Sequence, residues 1–500
     1  MRTIFIVVFV CCWASLNAQQ HMNYPDSTKI NAKDKLTFTD EFEEFRKQVI
    51  DDFEDYRKSI NKEFVEFVKN PWKTFEINTP IQRANEEDFT PPLYIPKEEI
   101  NRPIETKPII VDGVIKPIDF APQPLPVVPI ADVPFFDVTC NSFNFFGTLG
   151  IVRYTKKMVL TNLSEMQIAN ALEALMASEN DNLILDCLKI RDEHKLCDWA
   201  YILMLKNMSE SIYGVGTKES VLLMAYIYMQ SGYRMRLARD SERLYMLFSC
   251  KHLINGKSYI QIEDEKYYCL EELPHRLQAC LASFPNEQSL SLIITQPNEF
   301  DFAPSEGRFL KSSEYPQLGL KIVTNMNLMS FYDTYPVSIY DNDVMTKWAI
   351  LANTPLQQDI LSGFKKHMGK MLSQMSEYNA VAHLINLVQT GFEYKSDDEV
   401  WGCDRSFFPE ETLFYPYNDC EDRAILFTRL VRDLLGLKCL LIYYPGHLAT
   451  AVHFENPVSG DYVELDDVPY VICDPTYIGA PIGKEMPNMN NQAAKVILLR

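Results

Sequence analysis

Residues 415 to 440, YPYNDCEDRAILFTRLVRDLLGLKCL, constrain the fold more than any other stretch. They read as a turn followed by a helix whose apolar positions Ile425, Leu426, Leu430, Leu434 and Leu435 share one face, with a stop at Gly436. Three short apolar strands follow, over Cys439 to Tyr444, Leu448 to Phe454 and Tyr470 to Cys473.

Chemistry gathers on the same elements. Cys420 falls at the helix start, where the helix dipole and unpaired amides favour a thiolate and lower the thiol pKa. Pro445-Gly446 places His447 at the mouth of the second strand, and the third strand delivers Asp474 just before Pro475. A nucleophilic thiol, an imidazole to carry its proton and a carboxylate to fix the imidazole tautomer are the parts a cysteine acyl transferase needs. The two intervals, Cys420 to His447 and His447 to Asp474, are each 27 residues.

Asp419-Cys420-Glu421-Asp422, the Gly446-His447 pair that opens a strand and Cys473-Asp474-Pro475-Thr476 closing another resemble the transglutaminase-like superfamily. The resemblance covers roughly residues 380 to 485. It implies a papain-like α+β core with Cys420 as nucleophile, His447 as general base and acid, and Asp474 as orienting carboxylate. Other readings stay open at this level. Cys420 can be an inert thiol or a disulfide partner of Cys403 or Cys439, and Asp474 before Pro475 can simply start a turn. His453 competes with His447, because an even separation points both the same way along a straight strand. Gln389 and Trp401 are the upstream candidates for an oxyanion donor, with Trp401 also readable as core or cleft wall. Glu421 and Asp422 read as helix caps rather than chemistry.

A second unit repeats this layout. GTKESVLLMAYIYMQSGYRMRL, residues 216 to 237, has a polar start, an apolar helix, a stop at Gly232 and an apolar strand. Asp264 to Tyr268 parallels Asp467 to Val471, which sets Glu271 against Asp474. Gly216 and Thr217 stand at the nucleophile position, and His252 is the histidine nearest to a His447 counterpart. This degenerate copy lacks the thiol and base, so its expected role is structural or substrate-binding.

The remaining chain divides as follows. Residues 1–18 read as a signal peptide, an apolar run from Ile4 to Trp13 ending in Asn17-Ala18, with a lipoprotein anchor at Cys11 or Cys12 as the competitor. Residues 37–70 read as an amphipathic helix with a capping box at Thr37 and Asp40, and residues 71–135 as a proline-rich connector that lies along a domain surface. The connector holds 13 of the 29 prolines, and fixed φ angles with missing amide donors exclude helices there. The degenerate domain is expected over 136–284, a β-rich segment over 285–345 and the catalytic domain over 346–500.

Lys and Arg number 48 against 68 Asp and Glu, so the net charge of −20 argues against nucleic acid as a partner. No stretch after the signal reaches the roughly 18 apolar residues of a membrane span. Ten cysteines remain after residue 18, without CxxC or His-x3-His spacing, so the sequence predicts neither a metal nor any other cofactor. The resemblance implies an exported cysteine enzyme acting on protein or peptide amide bonds through a thioester, resolved by water as a peptidase or amidase, the favoured outcome, or by a second amine as a transglutaminase-type acyl transferase. The contrasting expectation is a non-catalytic binding or scaffold protein built on the same domains.

Overall fold

The computed structural model describes residues 32–80, 94–96, 98–99, 105–120, 122–128, 130, 132, 139–154, 158–177 and 180–500, with side chains from 44 onward. The signal peptide with Cys11 and Cys12 lies outside the described residues. The first compact unit ends at Lys58 and the second spans Ser59–Arg500. Helix Ala32–Val68 runs through the boundary. It begins ahead of Thr37, so the expected capping box falls inside the helix rather than at its start. From Ser59 onward its buried side chains Ile60, Phe64, Val65 and Val68 join the largest apolar core.

The chain is α+β, with two six-stranded sheets. The first runs in the order Lys73–Glu76, Arg276–Ala279, Met235–Arg239, Leu244–Ser249, Glu265–Tyr268, Tyr259–Ile262. The second runs Gly113–Ile115, Lys495–Leu498, Cys439–Tyr444, His447–Val452, Val468–Ile472, Tyr462–Leu465. Taken strand by strand along the chain, the two orders coincide from the second position onward, and each sheet follows a helix, Lys218–Gln230 or Cys420–Leu435. The outermost strand differs: Lys73–Glu76 joins antiparallel and Gly113–Ile115 joins parallel. Both outer strands come from the proline-rich connector, which therefore covers one edge of each sheet, a position where proline's missing donor is tolerated.

Helix Cys420–Leu435 packs two ways. Leu426, Leu430 and Val431 meet Leu384, Leu387 and Val388 of helix Glu377–Gly391, while Ala424 and Ile425 meet Leu441 and Leu448 of the second sheet. Burying each such large aliphatic side chain contributes about 1.5–3 kcal/mol. Gly436 ends the helix at φ 71°, the left-handed conformation that glycine adopts without a Cβ penalty.

Residues 285–345 depart from the expected run of strands. Leu320–Ile322 does pair, with Arg308–Leu310, and Ser338–Ile339 pairs with Leu253–Ile254. Leu290 to Ile294 forms no strand beyond a single bridge from Leu290 to Cys250, although Leu290, Leu292, Ile293 and Ile294 are all buried. An apolar run is consistent with burial in any backbone conformation, and here burial is satisfied without a ladder. A short helix, Met326–Tyr332, capped by Asn325, occupies part of the same segment.

Candidate active site

The turn before the helix sets Cys420. Tyr417–Asn418 pairs in parallel with Glu393–Tyr394, and Asp419 is the N-cap, leaving Cys420 as the first helical residue. Arg423, with no exposed surface, braces this turn: its guanidinium donates to Asn418 Oδ1 at 2.8 Å, to the Gln389 carbonyl at 3.3 Å and to the Phe392 carbonyl at 3.1 Å. An arginine in an amphipathic helix reads as surface from sequence alone, so this brace carried no signal.

His447 and Asp474 meet because their strands pair antiparallel, with Ala451 opposite Ile472 and Val452 opposite Val471. Extending that register puts Asp474 opposite Ala449, two residues along the same face from His447, a diagonal within reach of long side chains. His447 Nε2 stands 2.9 Å from Asp474 Oδ2, with both side chains enclosed. The other carboxylate oxygen accepts the backbone N–H groups of Thr476 at 2.8 Å and Tyr477 at 3.3 Å. Asp474 thus starts a turn and holds the imidazole at once, which merges two separate readings of the sequence.

The Cys420 thiol is buried. Its hydrogen bond goes to Glu421 Oε2 at 3.3 Å, and the backbone amide of Leu448, the residue after His447, faces the sulfur. The fold therefore brings His447 and Asp474 into direct contact and sets Cys420 against the backbone beside His447. Burial, followed by the charges of Glu421 and Asp419, holds the thiol well above its ordinary range, while the Leu448 amide pulls the other way. The helix start does not deliver the lowered pKa expected from its dipole, because desolvation and two flanking acids outweigh it.

His453 does not share the site. It lies past the strand end, with Nδ1 3.0 Å from the Pro469 carbonyl and its ring beside Tyr470. Gln389 is no oxyanion donor either. Its side-chain amide donates to the carbonyls of Asp474 at 3.0 Å and Tyr477 at 2.9 Å, and its oxygen accepts the Gly479 N–H at 3.3 Å. Trp401 is a wall residue, edge-on to Phe407 and Tyr415 with the Arg405 guanidinium over its ring. The capping expectation for Asp422 fits its contacts, since it accepts the N–H groups of Phe407 at 2.8 Å and Asp419 at 3.4 Å.

No disulfide forms among the described cysteines, so Cys420 is paired with neither Cys403 nor Cys439. A cavity of about 230 Å³ lies next to the site, lined among others by Tyr335, Lys347, Arg405, Ser406 and Glu411. Ser406, in that lining, donates Oγ to Glu421 Oε1 at 3.2 Å, and the other oxygen of Glu421 accepts from the Cys420 thiol.

In the first sheet the corresponding positions hold different chemistry. Thr217 caps helix Lys218–Gln230 by accepting the Ser220 N–H at 3.1 Å. Glu271 accepts from Cys269 Sγ at 3.3 Å and pairs with Lys206 at 3.3 Å. His252 is buried elsewhere, with Nδ1 3.2 Å from Ser338 Oγ.

No protein-family model, curated protein or solved structure matches this chain.

Proposed function

We propose that the protein is an exported transglutaminase-like cysteine enzyme with a papain-like catalytic core, which hydrolyses amide bonds of a protein or peptide through a thioester. The observation that carries this reading is the enclosed 2.9 Å contact between His447 Nε2 and Asp474 Oδ2, with the Cys420 sulfur against the next backbone amide. With Nε2 engaged by the carboxylate, the imidazole exchanges protons with the thiol through Nδ1. The thiol proton passes to Nδ1 as sulfur attacks the carbonyl carbon, and the imidazolium then protonates the leaving amine as the C–N bond breaks. Water, deprotonated by the same nitrogen, attacks the thioester and releases the acid and the thiol. Because burial and neighbouring acids favour the neutral thiol, His447 works as a general base on substrate binding rather than in a standing ion pair.

A second reading, a binding protein with a vestigial triad, is favoured by that same burial and by the acids flanking the thiol. A thiol-directed activity probe separates the two. The enzyme reading requires Cys420 to alkylate faster than exposed Cys140 and Cys403, with the preference lost in His447→Ala. Among the described residues no helix is long and apolar enough to cross a membrane.

A further inference from the structure

The start of helix Cys420–Leu435 is crowded with acid. Ligand atoms of Asp419, Cys420 and Glu421 all lie within 4.8 Å of one another, and a second group, Asp397, Asp404 and Glu421, shares the same glutamate. Asp419 is more than nine-tenths buried, and no donor reaches its enclosed Oδ1. Three further acids, Glu421, Asp422 and Asp397, act on that carboxylate. The nearby bases give their hydrogen bonds to other groups: Arg423, whose charge lies near Asp419 and Asp422, donates to Asn418 and two carbonyls, Arg405 pairs with Asp333 and Glu411, and Lys347 reaches only Asp404 of the second group, at 3.6 Å. The other oxygen of Asp419 accepts the Asp422 N–H of the capping box, so one enclosed oxygen of a buried carboxylate is left without a partner, a costly arrangement that a proton or a metal ion completes.

We propose that Asp419, Cys420 and Glu421 form a binding site for a thiophilic divalent cation of the zinc class, which on binding takes the Cys420 sulfur out of reaction. The donor set, one sulfur and two carboxylates, suits zinc or cadmium rather than magnesium or calcium, which take oxygen ligands alone. Spacing also fits. Tetrahedral zinc with bonds of about 2.3 Å to sulfur and about 2.0–2.2 Å to oxygen places those two ligands about 3.5 Å apart, and Cys420 Sγ stands 3.3 Å from Glu421 Oε2. Ser406, donating to Glu421 Oε1 at 3.2 Å, holds the carboxylate in that orientation. Binding breaks the S–H bond and forms a sulfur–metal bond; the proton now directed at Glu421 leaves to the buffer, and no electron changes hands. Ligands at three consecutive positions match no familiar metal spacing, so the site is not legible in the sequence.

The site goes beyond the thioester reading and does not require it, so binding is read without activity. Metal-free protein comprising residues 19–500 is titrated with Cd2+, following the ultraviolet cadmium–thiolate charge-transfer band, with Zn2+ added as competitor. In parallel, mass spectrometry follows iodoacetamide labelling of each cysteine. The expected result is one Cd2+ per chain, displaced by Zn2+, with Cys420 labelling slowed at least tenfold and restored by a chelator while Cys140 and Cys403 are unchanged. Cys420→Ser removes the band, and Asp419→Asn and Glu421→Gln each weaken binding at least tenfold with melting temperatures near wild type; Glu464→Gln, on the second sheet, changes nothing. A band that survives Cys420→Ser, affinity indifferent to both carboxylate variants, or absence of the band overturns the proposal. A bound metal in a protein whose thiol ignores amide-directed probes removes the thioester reading and leaves this site standing.

Discussion

Gln389, in helix Glu377–Gly391, donates its side-chain amide to the backbone carbonyl of Asp474 at 3.0 Å, and with the same group reaches the Tyr477 carbonyl at 2.9 Å. Gly479 N–H closes the clasp on Gln389 Oε1. One buried side chain therefore fixes the segment that carries the carboxylate of the candidate triad. Gln389→Leu leaves those backbone groups without their partner, at about 1–3 kcal/mol for each buried group left unsatisfied. We expect a loss of about 2–4 kcal/mol in urea denaturation. The Cys420 preference for a thiol probe falls as well, because Asp474 loses its anchor. Unchanged stability would show that water replaces the side chain.

The two glycine stops differ beneath one pattern. Gly436 sits at φ 71° with open space where a Cβ would go, whereas Gly232 sits at φ 92° with a Cβ position 2.0 Å from the Leu125 carbonyl oxygen. Gly436→Ala then costs about 1–2 kcal/mol for the left-handed backbone alone. Gly232→Ala adds a backbone collision to that strain, and we expect more than about 3 kcal/mol by chemical denaturation, or failure to fold. Similar losses at both positions would mean that the connector at Leu125 simply moves aside.

Those glycines show what a sequence discloses. The helix stripe, its stop and the following strands were legible at 420 to 473 because apolar spacing and a left-handed glycine are local properties. His447 over His453 was decided by the end of a strand, a boundary that spacing blurs by a few residues. Gln389 as a clasp and Arg423 as a brace were illegible, since both act on backbone carbonyls whose positions only the tertiary fold defines. The thiol environment was misread for a related reason. Dipole and capping arguments are local, while burial depends on everything packed above the helix, here including Trp348 and Met345.

Glu410 offers a pH test away from the chemistry. Burial, offset in part by the Gln357 amide, raises its carboxyl from the usual 4.5 to about 8, and its enclosed Oε2 has no partner. The folded state therefore binds this proton more tightly than the unfolded chain. Its contribution to stability is fully present below pH 4.5 and declines as pH rises toward about 8. Glu410→Gln keeps an acceptor for Gln357 and cannot ionise. We expect equal melting temperatures for the two proteins near pH 4.5 and a growing advantage for the variant up to about pH 8, a gap of several degrees. Parallel curves across that range would remove Glu410 as a titrating group.

Asp474→Asn tests the triad itself. Oδ1 of an asparagine still accepts the Thr476 and Tyr477 amides, so the turn and the fold persist. The side-chain NH2 then faces His447 Nε2 where a carboxylate oxygen stood, and it requires an unprotonated Nε2 in return. That tautomer carries its proton on Nδ1, the nitrogen that has to take the thiol proton. In a serine triad the same swap costs about 10⁴ in turnover. A thiol ionises more readily than a serine hydroxyl, so we expect a smaller loss here, on the order of 10²–10³. Asp422→Asn provides the contrast. Asp422 is fully buried and accepts the Phe407 amide at 2.8 Å and the Asp419 amide at 3.4 Å on separate oxygens; an asparagine oxygen keeps one of them, so the change acts on stability by about 1–3 kcal/mol and leaves turnover within a few-fold. The measurement is amide hydrolysis by both variants, using a substrate selected on the wild-type protein, with thermal melts to establish folding. Equal activities in two folded variants would remove Asp474 from the mechanism, and with it the reason His447 would hold the tautomer the thiol needs.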